Sequence, residues 1–162
     1  MTLRRALVAL LAVQALLVAV TWWPGDRSDL AAHALLDLDP AAVTRIRIAR
    51  KPAEGQPERW LELARGEGGA WSIESASGYP AQASRVDALL AKLVTLEVRS
   101  PIATQTTSHD ALAVGERQYG RRIEIATAQG TQTLVVGAAT SSSANVRLAG
   151  ASEVYTAKGL SE

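Results

Sequence analysis

Val43-Thr44-Arg45-Ile46-Arg47-Ile48-Ala49-Arg50 alternates apolar with basic residues at period two, the pattern of a strand that buries one face and wets the other. Downstream, Lys51 to Glu58 (KPAEGQPE) is rich in proline and carries a glycine, so it reads as a hairpin loop. Arg59 to Arg65 (RWLELAR) alternates again as a second strand. Gly66-Glu67-Gly68-Gly69 has turn chemistry, since glycine supplies the positive φ of tight reversals, and Trp71 to Glu74 (WSIE) makes a short third strand.

The pattern then changes period. Ser84-Arg85-Val86-Asp87 has the form of a capping box, with a hydroxyl at the N-cap and an acid three residues later. Val86, Leu89, Leu90, Leu93 and Val94 follow at helical offsets on one face, predicting an amphipathic helix from Arg85 to about Leu96 that packs on the sheet. Beyond Pro101, Ser108 to Leu112 (SHDAL) predicts a single helical turn capped by Ser108.

The last third repeats the hairpin theme. Arg121 to Ala126 alternates, Ala128-Gln129-Gly130 turns, and Thr131 to Val136 runs back to end at Gly137. Asn145 to Leu148, Ala149-Gly150, and Glu153 to Thr156 make another strand, turn and strand, separated from the first pair by the small-residue loop Ala138 to Ala144 (AATSSSA). Links this short exclude parallel crossovers. The fold class expected is therefore α+β, a mainly antiparallel sheet of hairpins carrying one principal amphipathic helix.

Upstream of the domain the chain is of another kind. Ala6 to Trp23 carries no charge and is interrupted only by Gln14 and Thr21; with Thr2 and Leu3 it approaches the ~20 residues that span a ~30 Å bilayer core. Arg4 and Arg5 precede the run, Trp22 and Trp23 close it, and Pro24-Gly25-Asp26 stop the helix. The basic-inside and aromatic-belt preferences together place the N-terminus in the cytoplasm and the remainder outside, and the absence of cysteine suits a bacterial extracytoplasmic compartment. A cleaved secretory signal has a similar start but an apolar stretch of only ~7–15 residues, so an uncleaved single-pass anchor is the reading favoured. The expected organisation is an anchor over residues 1–25, a juxtamembrane linker that can dock over 26–42, and an exported domain over 43–162.

Composition limits the chemistry. The 162 residues are 48% hydrophobic and 20% charged, ample for one folded core and too few for a multidomain enzyme. With Cys 0 there is no disulfide framework or thiolate metal site, and His 2 leaves little for imidazole ligation. Setting Arg4 and Arg5 aside, 15 basic residues face 16 acidic ones, so the exported part is near neutral and has no field suited to nucleic acid. No cofactor or metal is expected.

Individual candidates read mostly as structural. Ser141-Ser142-Ser143 lacks a nucleophile elbow and a partner histidine, and is expected to be a surface loop. His33 and His109 are expected to be exposed, and Asp37 and Asp39 solvated, since a calcium loop needs further oxygen ligands at fixed spacing. Arg45, Arg47, Arg50 and Lys51 form a basic strand face that solubilises or meets headgroups. Trp60 and Trp71, in adjacent strands, are either cross-strand packing or a platform for a sugar ring.

Taken in order, Trp71-Ser72-Ile73, Gly78-Tyr79-Pro80-Ala81 and the helical series Val86, Leu89, Leu90, Leu93 resemble the bacterial family called domain of unknown function 4340. Pro101-Ile102-Ala103, Ser108-His109 with Leu112 and Val114, Arg121 to Ile125, Leu134 with Val136-Gly137, Val146-Arg147 and Val154-Tyr155 are similar to its proteobacterial branch, so the resemblance runs from about Val43 to Ala157. The resemblance implies a single-pass extracytoplasmic protein associated with ABC-type export components related to gliding-motility permeases, with no assigned catalytic residues. Tyr79-Pro80 would be a turn before the helix and Gly137 a strand end. The expected function is a non-enzymatic accessory subunit that binds ABC permease or ATPase subunits, with the anchor, Gln14 included, in the bilayer. The alternative is a glycan- or peptidoglycan-binding domain using Trp60 or Trp71.

Overall fold

The computed structural model describes Gln14 and residues 31–160 apart from Ala138 and Ser141. Alternation in the sequence becomes two antiparallel meanders. The first comprises β2 (Val43–Arg50), β3 (Trp60–Arg65), β4 (Trp71–Ile73) and β5 (Tyr79–Pro80). The second comprises β7 (Arg121–Thr127), β8 (Gly130–Val136), β9 (Ser143–Leu148) and β10 (Tyr155–Lys158). They join along β2 and β7, giving one sheet of order β10-β9-β8-β7-β2-β3-β4-β5. At this seam Ile46 faces Ile125, Ile48 faces Ile123 and Arg47 faces Glu124, so the apolar series of two distant segments align on one face.

That face holds the main core. Ile46, Leu63, Trp71, Ile123, Ile125, Leu134, Val136 and Val146 meet Val86, Leu90 and Leu93 of the helix α1 (Ala83–Val94), together with Leu96. The mainly antiparallel α+β class expected from the sequence is the one observed.

Several local expectations need correction. The helix starts earlier than the capping box placed it: Gln82 is the N-cap and makes no side-chain cap bond, while the helix ends at Val94 with Thr95 beyond it. The cause is visible in the backbone, where Arg85 and Val86 both donate to the Gln82 carbonyl and commit Ala83 and Ser84 to the first turn. Tyr79-Pro80 is an edge strand and not a turn, pairing Ile73 with Tyr79 and Ser72 with Pro80. The reversal falls earlier, on Ser77 (φ 57) and Gly78 (φ 74), both left-handed. A proline is tolerated there because an edge strand has one side free of ladder bonds. The final strand is Tyr155–Lys158, two residues later than the alternation suggested.

Part of the stretch read as linker is built into the folded unit. His33–Ala34 forms β1, antiparallel to β6 (Glu97–Val98), and Leu36 is buried in the main core. Asp39 is exposed and its carboxylate accepts from the Ala41 N–H at 2.9 Å, capping a short 3-10 turn at Pro40–Ala42.

The opposite face of the sheet is partly covered by residues 100–120. Val135 lies between the core residues Leu134 and Val136, so strand alternation turns it to this second face, where it packs with Val114, Tyr119 and Val154. The predicted turn at Ser108 is present as one i→i+4 bond, the Leu112 N–H donating to the Ser108 carbonyl at 3.0 Å; a 3-10 turn at Thr106–Ser108 precedes it, and Ala113 follows at φ 58.

Candidate functional site

Polar groups line several depressions among the described residues, and two of them combine these with exposed apolar surface or a buried charge. The first lies where β2 leaves the sheet and β3 returns. Its wall is built from Ile48, Pro52, Pro57, Trp60 and Leu61, in a groove of about 710 Å3 rimmed by Arg50, Lys51, Arg59 and Arg121. No acidic residue lines it. Leu61 is 43% exposed, one of the few large apolar side chains among the described residues so open to solvent, and its register partner Ile48 is only partly buried against the main core. Trp60 is half-buried, and the Arg47 guanidinium stacks over its ring at 4.4 Å. Arg47 also bonds Glu124 at 2.8 Å, so one side chain joins β3 to β7 across β2.

The second depression, about 470 Å3, opens beneath the segment 106–117 on the second face of the sheet. Arg147 stands between the core residues Val146 and Leu148 and opposite Val135 in register, so it turns to this face. It is only 7% exposed. Its Nε donates to the Val114 carbonyl at 2.9 Å and its Nη1 to the Leu148 and Ala151 carbonyls at 3.3 and 3.2 Å. Burial pushes this guanidinium below its ordinary value, and the Glu116 carboxylate opposes that shift. Around it the cleft is lined by Thr106, Thr107, His109, Asp110, Glu116 and Arg117.

His109 corrects the expectation of an exposed side chain. It is 8% exposed, and its Nε2 lies 2.9 Å from the Ser152 carbonyl, which can only accept, so Nε2 carries the proton. His33 is exposed as expected and meets Tyr155 edge-to-face at 6.0 Å. Asp37 is also exposed. Among the described residues no group of acids and histidines is placed to hold a metal ion. Ser143 opens β9 and exchanges bonds with Thr140; Ser142 is exposed.

The other residues singled out by sequence are distributed by packing. Trp71 is 4% exposed in the main core, where it cannot be a platform for a ligand. Leu90 and Leu93 are buried beside it, and Ile73, Leu89 and Tyr155 border the same core. Tyr79 is 69% exposed and Pro80 exposed on the edge strand. Gly137 is buried and ends β8, and an added Cβ would meet the Leu112 carbonyl at 2.9 Å. Of the anchor residues, Gln14 is helical and exposed, while Arg4, Arg5, Trp22 and Trp23 lie outside the described residues. Among the described residues no helix is long and apolar enough to cross a membrane.

An antiparallel sheet with one helix on its front face and an irregular segment folded over its back defines an α+β module whose depressions are rimmed by charge. The chain belongs to the family described as Domain of unknown function (DUF4340), whose profile matches residues 71–162. The match begins at Trp71, later than the Val43 expected from motif resemblance, so it takes in the whole Arg147 cleft and little of the Trp60 groove. No curated protein and no solved structure matches the chain.

Proposed function

We propose that this protein is a non-enzymatic accessory subunit of an ABC-type transport complex, tethered in the bacterial inner membrane by residues 3–23 and acting on the periplasmic side through protein–protein contact. The observation that carries the reading is the groove at Trp60. Exposed apolar surface at Leu61, with Pro52 and Pro57 beside it and four cations but no acid in its wall, is complementary to an acidic partner segment that brings one or two apolar side chains. The tether adds to this by confining both partners to one membrane, which raises effective concentration without new contacts.

Affinity purification of the full chain in mild detergent, at native expression, recovers an ABC permease or ATPase on this reading. Recovery of the protein alone overturns it.

The half-buried Trp60 supports a second reading, a groove for glycan or peptidoglycan in which the indole stacks on a sugar ring. Tryptophan fluorescence that shifts on adding peptidoglycan fragments, and does so no longer in Trp60→Leu, selects that reading over the first.

A further inference from the structure

We propose that the cleft beneath Arg147 binds a small zwitterion of amino-acid or short-peptide type, its carboxylate on the Arg147 guanidinium and its ammonium between Asp110 and Glu116. This site is separate from the groove at Trp60 and does not depend on docking there.

The guanidinium is the reason to look for a ligand. A charge buried this deeply is ordinarily paired, yet no carboxylate lies within ion-pair distance of Arg147 among the described residues, and its partners are three neutral carbonyls. With Nε and Nη1 committed, Nη2 is the nitrogen whose donors have no partner among the described residues. It offers an end-on contact to one anionic oxygen, and the fork used for bidentate pairing is already occupied by the fold.

The lining makes the ligand bipolar. Arg117 on the rim has no ion-pair or hydrogen-bond partner among the described residues, and neither do the carboxylates of Asp110 and Glu116, the latter acting on Arg147 only through space, so charges of both signs share one cleft without direct pairing. An anion alone would satisfy the arginines and add repulsion at the acids. A ligand with an ammonium a few atoms from its carboxylate answers both. Thr106 and Thr107 add hydroxyls to the wall, and about 470 Å3 is within the ordinary range of small-ligand sites.

The frame is fixed from below. The His109 contact with the Ser152 carbonyl holds the turn at 106–113 against the β9–β10 loop, and the Asp110 carboxylate sits so close over Gly115 that a Cβ there would come within 1.7 Å of Oδ1. The Asp110 carboxylate therefore occupies the space that a side chain at position 115 would take.

Titration calorimetry on the full chain in detergent, with alanyl-alanine as the probe, tests this. One saturable site is expected. Alanyl-alanine amide, which lacks the carboxylate, and N-acetylalanine, which lacks the ammonium, should each bind about tenfold more weakly or worse, the scale of one lost charged contact. Arg147→Lys should lose the site; should that variant unfold, Arg117→Ala and Glu116→Gln, both at exposed positions, should each weaken the dipeptide several-fold while the folded spectrum is kept. Absence of saturable dipeptide binding overturns the proposal, as does equal affinity for the amide. Inorganic phosphate binding as well as the dipeptide also overturns it, since that identifies a simple anion site.

Discussion

The Tyr119 hydroxyl donates to the Glu58 carboxylate, across 61 positions of sequence, while Arg122 lies over the Tyr119 ring at 4.6 Å and within 3.7 Å of the same carboxylate. Beside this cluster Lys51 bonds the side chain of Gln118, and its N–H donates to the Gly120 carbonyl at 3.2 Å. The loop that walls the Trp60 groove is therefore fastened at both ends to the segment that walls the Arg147 cleft. The two depressions have no lining residue in common; the tie runs between the loop at 51–58 and residues 118–122, just beyond the cleft wall.

The phenol gives this fastening a signature in alkali. Burial pushes the Tyr119 hydroxyl up from its ordinary value of 10.0, and its bond to Glu58 adds to the rise. A raised pKa in the folded state means that this contribution to stability is present below pH ~10 and is lost as pH climbs through the higher folded value. Tyr119→Phe should remove the latest-ionising component from a phenolate absorbance titration. It should also speed amide exchange in residues 51–58, at a cost of about 1–2 kcal/mol in urea unfolding. An unchanged titration curve would show that another phenol carries the rise.

Arg47 bridges three strands, bonding Glu124 on β7 while stacking on Trp60 of β3. An exposed cation–π contact is worth about 0.5–1 kcal/mol and a surface ion pair about 0.2–1 kcal/mol, so Arg47→Ala should lower stability by about 1–2 kcal/mol. Because the indole loses its cover, Trp60 emission should shift to the red at native pH. A stability loss without that shift would assign the effect to the Glu124 pair alone.

Gly120 enters β7 where the chain has no room. An added Cβ would stand 2.6 Å from the Gly137 carbonyl oxygen and 3.1 Å from that of Val136, and neither can yield without moving the end of β8. The Gly120 N–H also donates to the Val136 carbonyl at 2.9 Å. Gly120→Ala should lower the urea midpoint by the equivalent of about 1–3 kcal/mol with the slope unchanged, the mark of an overpacked folded state and an unaltered unfolded one. A neutral result would mean that the two strand ends separate freely.

What the sequence disclosed follows from which forces are local. Strands such as Arg121 to Ala126 and the helix through Val86, Leu90 and Leu93 were legible because a buried face imposes a period on consecutive residues. The seam of β2 with β7 left no such trace, since pairing Ile46 with Ile125 depends on segments that alternation cannot relate to one another. Strands of two residues, at His33–Ala34 and Tyr79–Pro80, are too short to have a period at all. The Arg147 cleft was hidden for a sharper reason. In Val146-Arg147-Leu148 the arginine occupies the outward position of a half-buried strand, and nothing in that triplet says that residues 100–120 fold over the outward face. His109 is hidden on the same ground. The Trp60 groove is half legible: the indole pair stands out in the sequence, and burial divides it, leaving Trp71 to the core and Trp60 to the wall.

Charge reversal tests the docking groove without touching the fold. Arg50 and Arg59 are exposed and have no ion pair or hydrogen bond among the described residues, so Arg50→Glu with Arg59→Glu should leave thermal unfolding nearly unchanged. It replaces two cations with two acids in a wall that otherwise has none, and should release an acidic partner segment by tenfold or more at about 0.1 M salt, where the screening length is ~10 Å. The unsubstituted chain should lose the same partner progressively as salt rises, whereas stacking of Trp60 on a neutral sugar would be indifferent to both changes. Retention of a partner by the reversed groove, at every salt concentration, would remove electrostatic complementarity from the account and leave Leu61 and Trp60 as the contacts to be tested next.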